Sequence, residues 1–465
     1  MGRSERRFWD DRTLTSRAAS ASDPARECFD AYVPHEINGW EPELHTDTWS
    51  QVSRAAERCA ALAKATGSQP VASEWLLDRS ESIASSTIEE IRPSARRVAR
   101  AEAQISLFGQ RPADTEMQAL RNVAATQRAI ELGASGADLT IDGLCDIHAT
   151  LMGNEDRIAG RIRDRQNWVG SGPLGSPLEA RHVGPPPEFV KTLLDDLVGY
   201  VNRDDGIPIV RAAIAHAQFE TIHPFADGNG RTGRALMQYM FRRDAVMDTG
   251  ALPVSTALML NKETYFDALD ETRVICAPDE PLRSKALRSW VEMLAQSTAH
   301  ACVLRERLIK HVEALAQRWS HQARAAGIRP SNAAFKLLDA LPRHPIVTAA
   351  SAARLLSVEP RTAQRAVARL AKLGILEQRS AGRRNRVFEC GDMMDAFTES
   401  AREQPAANLT LSTPAGTPGP TLPDTERTAK DVAAGICGAR TRRGTQCSHP
   451  RPRPGGKCPA GHPRN

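Results

Sequence analysis

His223-Pro-Phe-Ala-Asp-Gly-Asn-Gly-Arg-Thr-Gly-Arg234 is the stretch on which the reading of this chain turns. The run before it, VRAAIAHAQFETI, is apolar with helical spacing and ends near Ile222. Asp227-Gly228-Asn229-Gly230 reads as a tight turn, because Gly and Asn tolerate positive φ, and a second helix is expected from Arg231. Successive N–H groups in such a turn, feeding the positive end of a helix, make a concave anion site suited to a di- or triphosphate. Arg231 and Arg234 are three apart and share a helix face, so two guanidinium forks can grip adjacent phosphates. Asp227 is placed to hold a hard cation that bridges phosphate oxygens. His223 is the nearby side chain that titrates near neutral pH, which makes it the natural base for an incoming hydroxyl.

Outward from that string, residues 40 to 320 are Ala/Leu/Arg/Glu-rich with recurrent helical spacing, and we read them as mostly α. The exception is RIRDRQNWVGSGPLGSPLEARHVGPPP, where two short extended runs flank a Gly/Pro/Ser turn, as in a two-stranded flap projecting from helices. Residues 331 to 390 change character, with three helix-like runs and then the alternating GILEQRSAGRRNRVFEC, which together make a winged helix. Residues 401 to 430 hold Pro, Thr, Ala and Gly with almost no large apolar side chains and read as a flexible linker.

The whole chain has 465 residues, enough for two or three domains. Its 61 Lys+Arg against 56 Asp+Glu leave only +5, so any nucleic-acid footprint must be local. No run of about 18 apolar residues occurs, and the first residues, MGRSERRFWDD, are charged, which excludes a membrane-spanning reading and points to the cytoplasm. Cys28, Cys59, Cys145, Cys276, Cys302 and Cys390 are scattered singly, which suits a reducing compartment.

The string from His223 to Arg234 resembles the signature of the Fic family, HPFx(D/E)GNGRxxR, at every fixed position. RAAIAHAQFETI and RDRQNWVG are also similar to family sequence, and the resemblance covers roughly residues 40 to 300. It implies a Fic-type helical core with a β-hairpin flap, and transfer of AMP from Mg-ATP to a hydroxyl side chain of a target protein or of the chain itself. His223 would deprotonate the hydroxyl, Asp227 would hold Mg2+, the amides of Gly228, Asn229 and Gly230 would bind the phosphates, and Arg231 and Arg234 would neutralise the leaving group. Phe225 would be buried. The turn keeps the GNGR form, which favours AMP transfer over other phosphate transfers.

Ser85-Ser86-Thr87-Ile88-Glu89 resembles the family's inhibitory motif, (S/T)xxxE(G/N), in the version that precedes the core. Ser85 and Glu89 share a helix face, and the resemblance implies that Glu89 would reach Arg234 and hold the enzyme off, the other reading being a Ser-capped helical turn with acids near its start. Glu90 departs from the pattern, standing where the family has a small or amide residue. In the flap, Gln166, Asn167, Trp168, Val169, Gly170, His182 and Val183 are the candidate rungs on which a target strand docks. Tyr265 and Phe266 are candidates for the adenine pocket, with a core role expected for at least one.

In PRTAQRAVARLAKLG the apolar stripe Ala363, Ala366, Val367, Leu370 and Leu373 opposes Arg361, Thr362, Gln364, Arg365, Arg369 and Lys372, and the following turn adds Arg383, Arg384 and Arg386. Fic proteins often end in a similar module, so residues 331–390 are a candidate DNA-binding face, with protein docking as the other use of such a fold. At the carboxy end, Cys437, Cys447, Cys458 and His462 form a candidate tetrahedral Zn2+ set, with His449 as a rival ligand, against a tail of reduced thiols.

The expected organisation is an amino-terminal helical region with the inhibitory helix (1–110), the catalytic core (111–300), a connecting helix (301–330), the winged helix-turn-helix (331–400), the linker (401–432) and a small Cys/His tail (433–465). Two functions compete, a self-restrained protein adenylyltransferase and a DNA-binding regulator whose core senses ATP, with a homodimer as a further expectation from the family. The intact His223 favours the first, since a sensor needs the phosphate grip but no base.

Overall fold

The computed structural model describes residues 1–9, 27–66, 72–153, 156–170, 177–379 and 386–400. The expected linker and the whole Cys/His tail lie outside the described residues, as do Arg383, Arg384 and the flap's turn at 171–176.

The chain opens with an antiparallel hairpin, β1 (Gly2–Trp9) against β2 (Glu27–Pro34), where the sequence reading expects a helical region. Alternation explains it: Phe29, Ala31 and Val33 of β2 are buried, and the residues between them point outward or stay half-buried. Helices α1 (Thr46–Thr66), α2 (Glu74–Ile88), α3 (Ala95–Phe108), α4 (Asp114–Ala134) and α5 (Ile141–Met152) follow. The flap comes next, as β3 (Trp168–Val169) paired with β4 (His182–Val183). Phe29 and Ala31 of β2 pack against Val183, with Trp168 and Ala180 beside them, so the amino-terminal hairpin backs the flap.

The core continues through α6 (Pro187–Val201), α7 (Pro208–Ile222), α8 (Asn229–Arg243), α9 (Val254–Met259), α10 (Lys262–Glu271), α11 (Pro281–Lys285) and α12 (Arg288–Ala325). Every residue of α7 from Ile209 to Ile222 is buried, Arg211, His216, Gln218 and Glu220 included, which places the helix at the centre of the bundle. Helix α8 begins at Asn229, two residues earlier than expected, so Asn229 and Gly230 belong to its first turn and the tight turn is shorter.

Helix α12 is 38 residues long and crosses the expected boundary at 300 without a break. Its first half, through Cys302, joins the core around α7, and its second half, from Leu308 to Ala323, joins a second apolar cluster. That cluster also takes residues of α13 (Ala333–Ala340), β5 (Ile346–Thr348), α14 (Ala349–Leu356), α15 (Pro360–Lys372), β7 (Val387–Glu389) and α16 (Gly391–Ser400), while β6 (Glu377–Gln378) is exposed at the sheet's edge. The three strands form a sheet in the order β5-β7-β6, with antiparallel pairs. Helix α2 is shared: Leu76, Leu77 and Ile83 belong to the second cluster, and Ile88 to the first. No described helix is long and apolar enough to cross a membrane.

Candidate active site

Helix α7 ends in a residue that is rarely left-handed. His223 has φ 49° and ψ 62°, and its N–H donates to the Phe219 carbonyl at 2.9 Å. A β-substituted residue there carries strain, which the surroundings must over-determine. Arg163 does this from the segment before the flap. Its Nε donates to the His223 carbonyl at 2.8 Å, and its Nη2 donates to Pro185 O at 2.6 Å and Ile222 O at 3.2 Å. Asn167 Nδ2 donates to the carbonyls of His223 at 2.9 Å and Phe225 at 3.1 Å.

Phe225 is buried as expected, and His148 of α5 stacks on it with centroids 3.8 Å apart. The Gly160 N–H donates to His148 Nδ1 at 3.0 Å, so Nε2 carries the proton and donates to the Asp227 carbonyl at 3.0 Å. Burial lowers the His148 pKa, which keeps the ring neutral in that role. Asn229 closes the loop, accepting from Phe225 N and donating to Phe225 O, both at 2.8 Å. Its side chain is therefore committed to the loop.

Glu89 follows the last turn of α2 and meets the start of α8. Arg234 Nη2 donates to Glu89 Oε1 at 2.8 Å and to Ser85 O at 2.8 Å, and Arg234 Nε donates to Ser85 Oγ at 2.9 Å. Burial would raise the Glu89 carboxyl, but the Arg234 guanidinium outweighs it and holds Glu89 below the usual carboxylate range. A Cβ at Gly230 would collide with Glu89 Oε1, so the carboxylate lies over the first turn of α8, where a helix favours an anion. Ser85, Glu89 and Arg234 are thus brought together as the sequence anticipates. Arg231 is buried, and its Nε has no hydrogen-bond partner among the described residues.

Glu90 has φ 64°. That is the physical reason a small or amide residue suits this position, since Gly and Asn pay least for the left-handed region. Its carboxylate is exposed and lies 3.4 Å from Lys262 Nζ, so the second carboxylate points away from Arg234.

Burial, followed by the nearby Arg273 charge, pushes His223 down to about 4. Glu220, one turn earlier on α7, is pushed up to about 7, first by burial. Asp227 is exposed, and its Oδ1 accepts from Gly228 N at 2.6 Å. No group of three His, Cys, Asp or Glu able to hold a metal occurs among the described residues. A single carboxylate suits Mg2+ that arrives on phosphates and keeps its waters, and does not suit a dedicated protein cage.

In the flap, Trp168 pairs with Val183 and Val169 with His182. His182 and Val183 are buried, and His182 Nε2 lies 2.9 Å from the Thr221 carbonyl. Gln166 Nε2 donates to Gly184 O at 2.6 Å. Of the predicted docking residues Gln166, Asn167, Trp168 and Val169 are half-buried and Gly170 is exposed, and the Gln166 and Asn167 side-chain amides are already hydrogen-bonded to main-chain carbonyls. Tyr265 is a core residue, 3.0 Å from His216 Nε2 through its hydroxyl, while Phe266 is half-buried beside Arg181 and Lys262. Arg163 and His148 escaped the sequence reading. Neither carries a local signature, since each acts through carbonyls and N–H groups that the fold brings to it.

The profile of the Fic/DOC family matches residues 138–241. Over 123 residues, 26% of this chain and 22% of the relative, the chain is 37% identical to the protein adenylyltransferase fic-1 of Caenorhabditis elegans. It is 33% identical over 110 residues to the protein adenylyltransferase Fic of Drosophila melanogaster, 23% of this chain and 20% of that one. The chain thus spans about a fifth of the length of the curated relatives it matches. A crystal structure of a Fic family protein from Desulfovibrio desulfuricans G20 aligns over 76% of this chain and 98% of its own, at 20% identity and a TM-score of 0.45. A structure of Fic-1 from Caenorhabditis elegans aligns over 55% and 71%, at 20% identity and a TM-score of 0.39.

Proposed function

The chain carries a Fic/DOC family domain over residues 138–241, and from that premise we propose that it is a protein adenylyltransferase held off by Glu89. The target hydroxyl oxygen attacks the α-phosphorus of ATP, the bond to the β-phosphate oxygen breaks, and pyrophosphate leaves with that electron pair. His223 takes the hydroxyl proton at Nε2, because Nδ1 faces Glu220. Asp227 would hold the Mg2+ that comes with ATP, the first amides of α8 would meet the phosphates, and Arg231 and Arg234 would offset the charge of the leaving group. Trp168 to Gly170 present the target segment.

The observation that carries this reading is the Glu89 carboxylate lying over Gly230 and paired with Arg234, where the phosphates would go. ATP-dependent labelling, followed by intact mass, tests it on wild type, Glu89→Gly and Glu89→Gly/His223→Ala. We expect AMP to accumulate on Glu89→Gly and to vanish in the double variant. ATP bound without AMP on any variant, with candidate targets present, would sink it.

The second reading is a DNA-binding regulator that senses ATP. It draws support from α15, whose Arg361, Thr362, Gln364, Arg365, Arg369 and Lys372 are all exposed, as a winged helix facing phosphates requires. Titration against duplex DNA at two salt concentrations separates the readings: absence of binding at low salt removes this one. Zinc on Cys437, Cys447, Cys458 and His462, a cytoplasmic location and a homodimer complete the proposal. An unchanged zinc content in Cys437→Ser would remove the zinc site.

A further inference from the structure

Glu220 is buried one helical turn before His223, on the Nδ1 side of its ring. Its Oε2 lies 3.9 Å from His223 Nδ1, while its Oε1 has no hydrogen-bond partner among the described residues. His223 Nδ1 likewise makes no well-formed hydrogen bond. The packing of α7 on α8 closes the pocket behind the carboxylate, since a Cβ at Gly233 would stand 2.5 Å from Glu220 Oε1. A carboxyl buried without a partner is costly and is kept where it serves a site.

We infer that Glu220 is a positioning residue for the AMP transfer proposed above: its carboxylate holds the proton on His223 Nδ1 and balances the charge the ring acquires, so that Nε2 accepts the hydroxyl proton. The electrostatic surroundings give the reason such a partner is needed. Facing the His223–Glu220 pair are Arg273 beyond α10, Arg234 of α8, Arg163 before the flap, His182 of β4, Tyr265 of α10 and Glu89 beyond α2. Arg273 and Arg163 oppose a charge on His223, and Glu89 and the Glu220 main-chain carbonyl favour one. When Glu89 leaves to admit ATP, Glu220 is the carboxylate of this set that remains beside the ring. No oxidant or additional reactant enters. The proton leaves the hydroxyl for Nε2, the oxygen bonds to the α-phosphorus, and pyrophosphate departs.

The test uses the full chain with Glu89→Gly, adding Glu220→Gln or Glu220→Asp, and follows AMP incorporation by intact mass between pH 5.5 and 9. Because Glu220 is raised to about 7, its carboxylate forms only as the pH rises through neutrality, so the parent rate rises there too. Glu220→Gln is expected to lose roughly 10²-fold above pH 7 and to flatten that rise, with the KM for ATP unchanged and Glu220→Asp recovering part of the rate. An equal loss at every pH with an unmoved profile makes Glu220 a packing residue and overturns the inference, as does an unchanged rate. Inactivity of Glu89→Gly itself would instead count against the transferase reading. The positioning claim is then decided by 15N NMR of the histidine-labelled chain, with His223→Ala to assign the ring. A proton on Nδ1 in wild type that Glu220→Gln displaces supports it, and the same tautomer in both overturns it.

Discussion

The two ends of helix α2 solve different problems. At its carboxy end Ser85 and Glu89 offer oxygens to one buried guanidinium, and the contact is polar, directional and shaped like a ligand's. At its amino end Trp75 meets Phe397 of α16 edge to face, with centroids 5.3 Å apart, and Arg79 stacks on Trp75 while its Nε donates to Glu102 of α3 at 2.8 Å. Ser80 and Ser400 join hydroxyls at 2.8 Å on the same side. A competing anion could take over the guanidinium at the first end without loss of apolar burial, whereas the second is a core contact that loses apolar burial if it opens. A helix of fifteen residues, with a rise of about 1.5 Å between neighbours, puts its first and last residues roughly 21 Å apart. The comparison therefore turns on whether the helix moves as one body or frays at the Glu89 end alone.

Phe397→Ala tests most directly whether the two ends of α2 are coupled. Phe397 is fully buried, so its truncation should cost about 3–5 kcal/mol of stability, read from chemical denaturation. If the ends are independent, its cost and that of Glu89→Gly add to within about 0.5 kcal/mol, and AMP incorporation by Phe397→Ala stays at the wild-type level. A clear departure from additivity, together with labelling that approaches Glu89→Gly, would show that α2 moves as one body.

Glu81 sits between the two ends and sharpens the contrast. It accepts from Ser255 N at 2.8 Å, Ser255 Oγ at 2.5 Å and Gln238 Nε2 at 3.2 Å, yet burial still raises it to about 7. A carboxyl whose folded pKa is raised from 4.5 to about 7 contributes stability that is full below pH 4.5 and lost as the pH rises through 7. That difference amounts to about 3 kcal/mol at most. Glu81→Gln removes the titration, so its fall in Tm between pH 5 and pH 8 should be smaller than that of wild type. Equal falls in the two proteins would mean that Glu81 is ionised in the folded state throughout.

What the sequence reveals of this site follows from how local each constraint is. His223 to Arg234 reads off the chain because its geometry is met within twelve residues: a helix end, a turn and a helix start. The Ser85, Glu89 and Arg234 contact was reached through spacing together with family resemblance, although some 145 residues separate its partners. The support of His223 by Arg163 and Asn167, and of Asp227 by His148, has no such trace, because main-chain carbonyls bear no sequence identity. The amino-terminal hairpin was missed for a related reason. β1 is mostly polar, and the alternation of Phe29, Ala31 and Val33 in β2 covers only three positions, which form a buried face where the hairpin packs beside the flap. The early start of α8 came from Asn229, whose turn-forming habit is overridden once its side chain closes onto Phe225.

The smallest effect is the one that best isolates the releasable end. Glu90 is left-handed at φ 64° while its carboxylate is exposed near Lys262, so its side chain contributes little that offsets the backbone cost. Glu90→Gly should therefore stabilise the protein by about 0.5 kcal/mol, read as a small rise in Tm, since the strain removed exceeds the unfolded-chain entropy that Gly adds. Glu90→Asn should give part of that gain. The turn that aims Glu89 at Arg234 would then be formed at lower cost, so AMP incorporation in wild-type background should fall or stay undetectable, never rise. A rise in labelling would mean that strain at Glu90 helps to hold Glu89 in place, and that the release of this end begins in the backbone instead of in the ion pair.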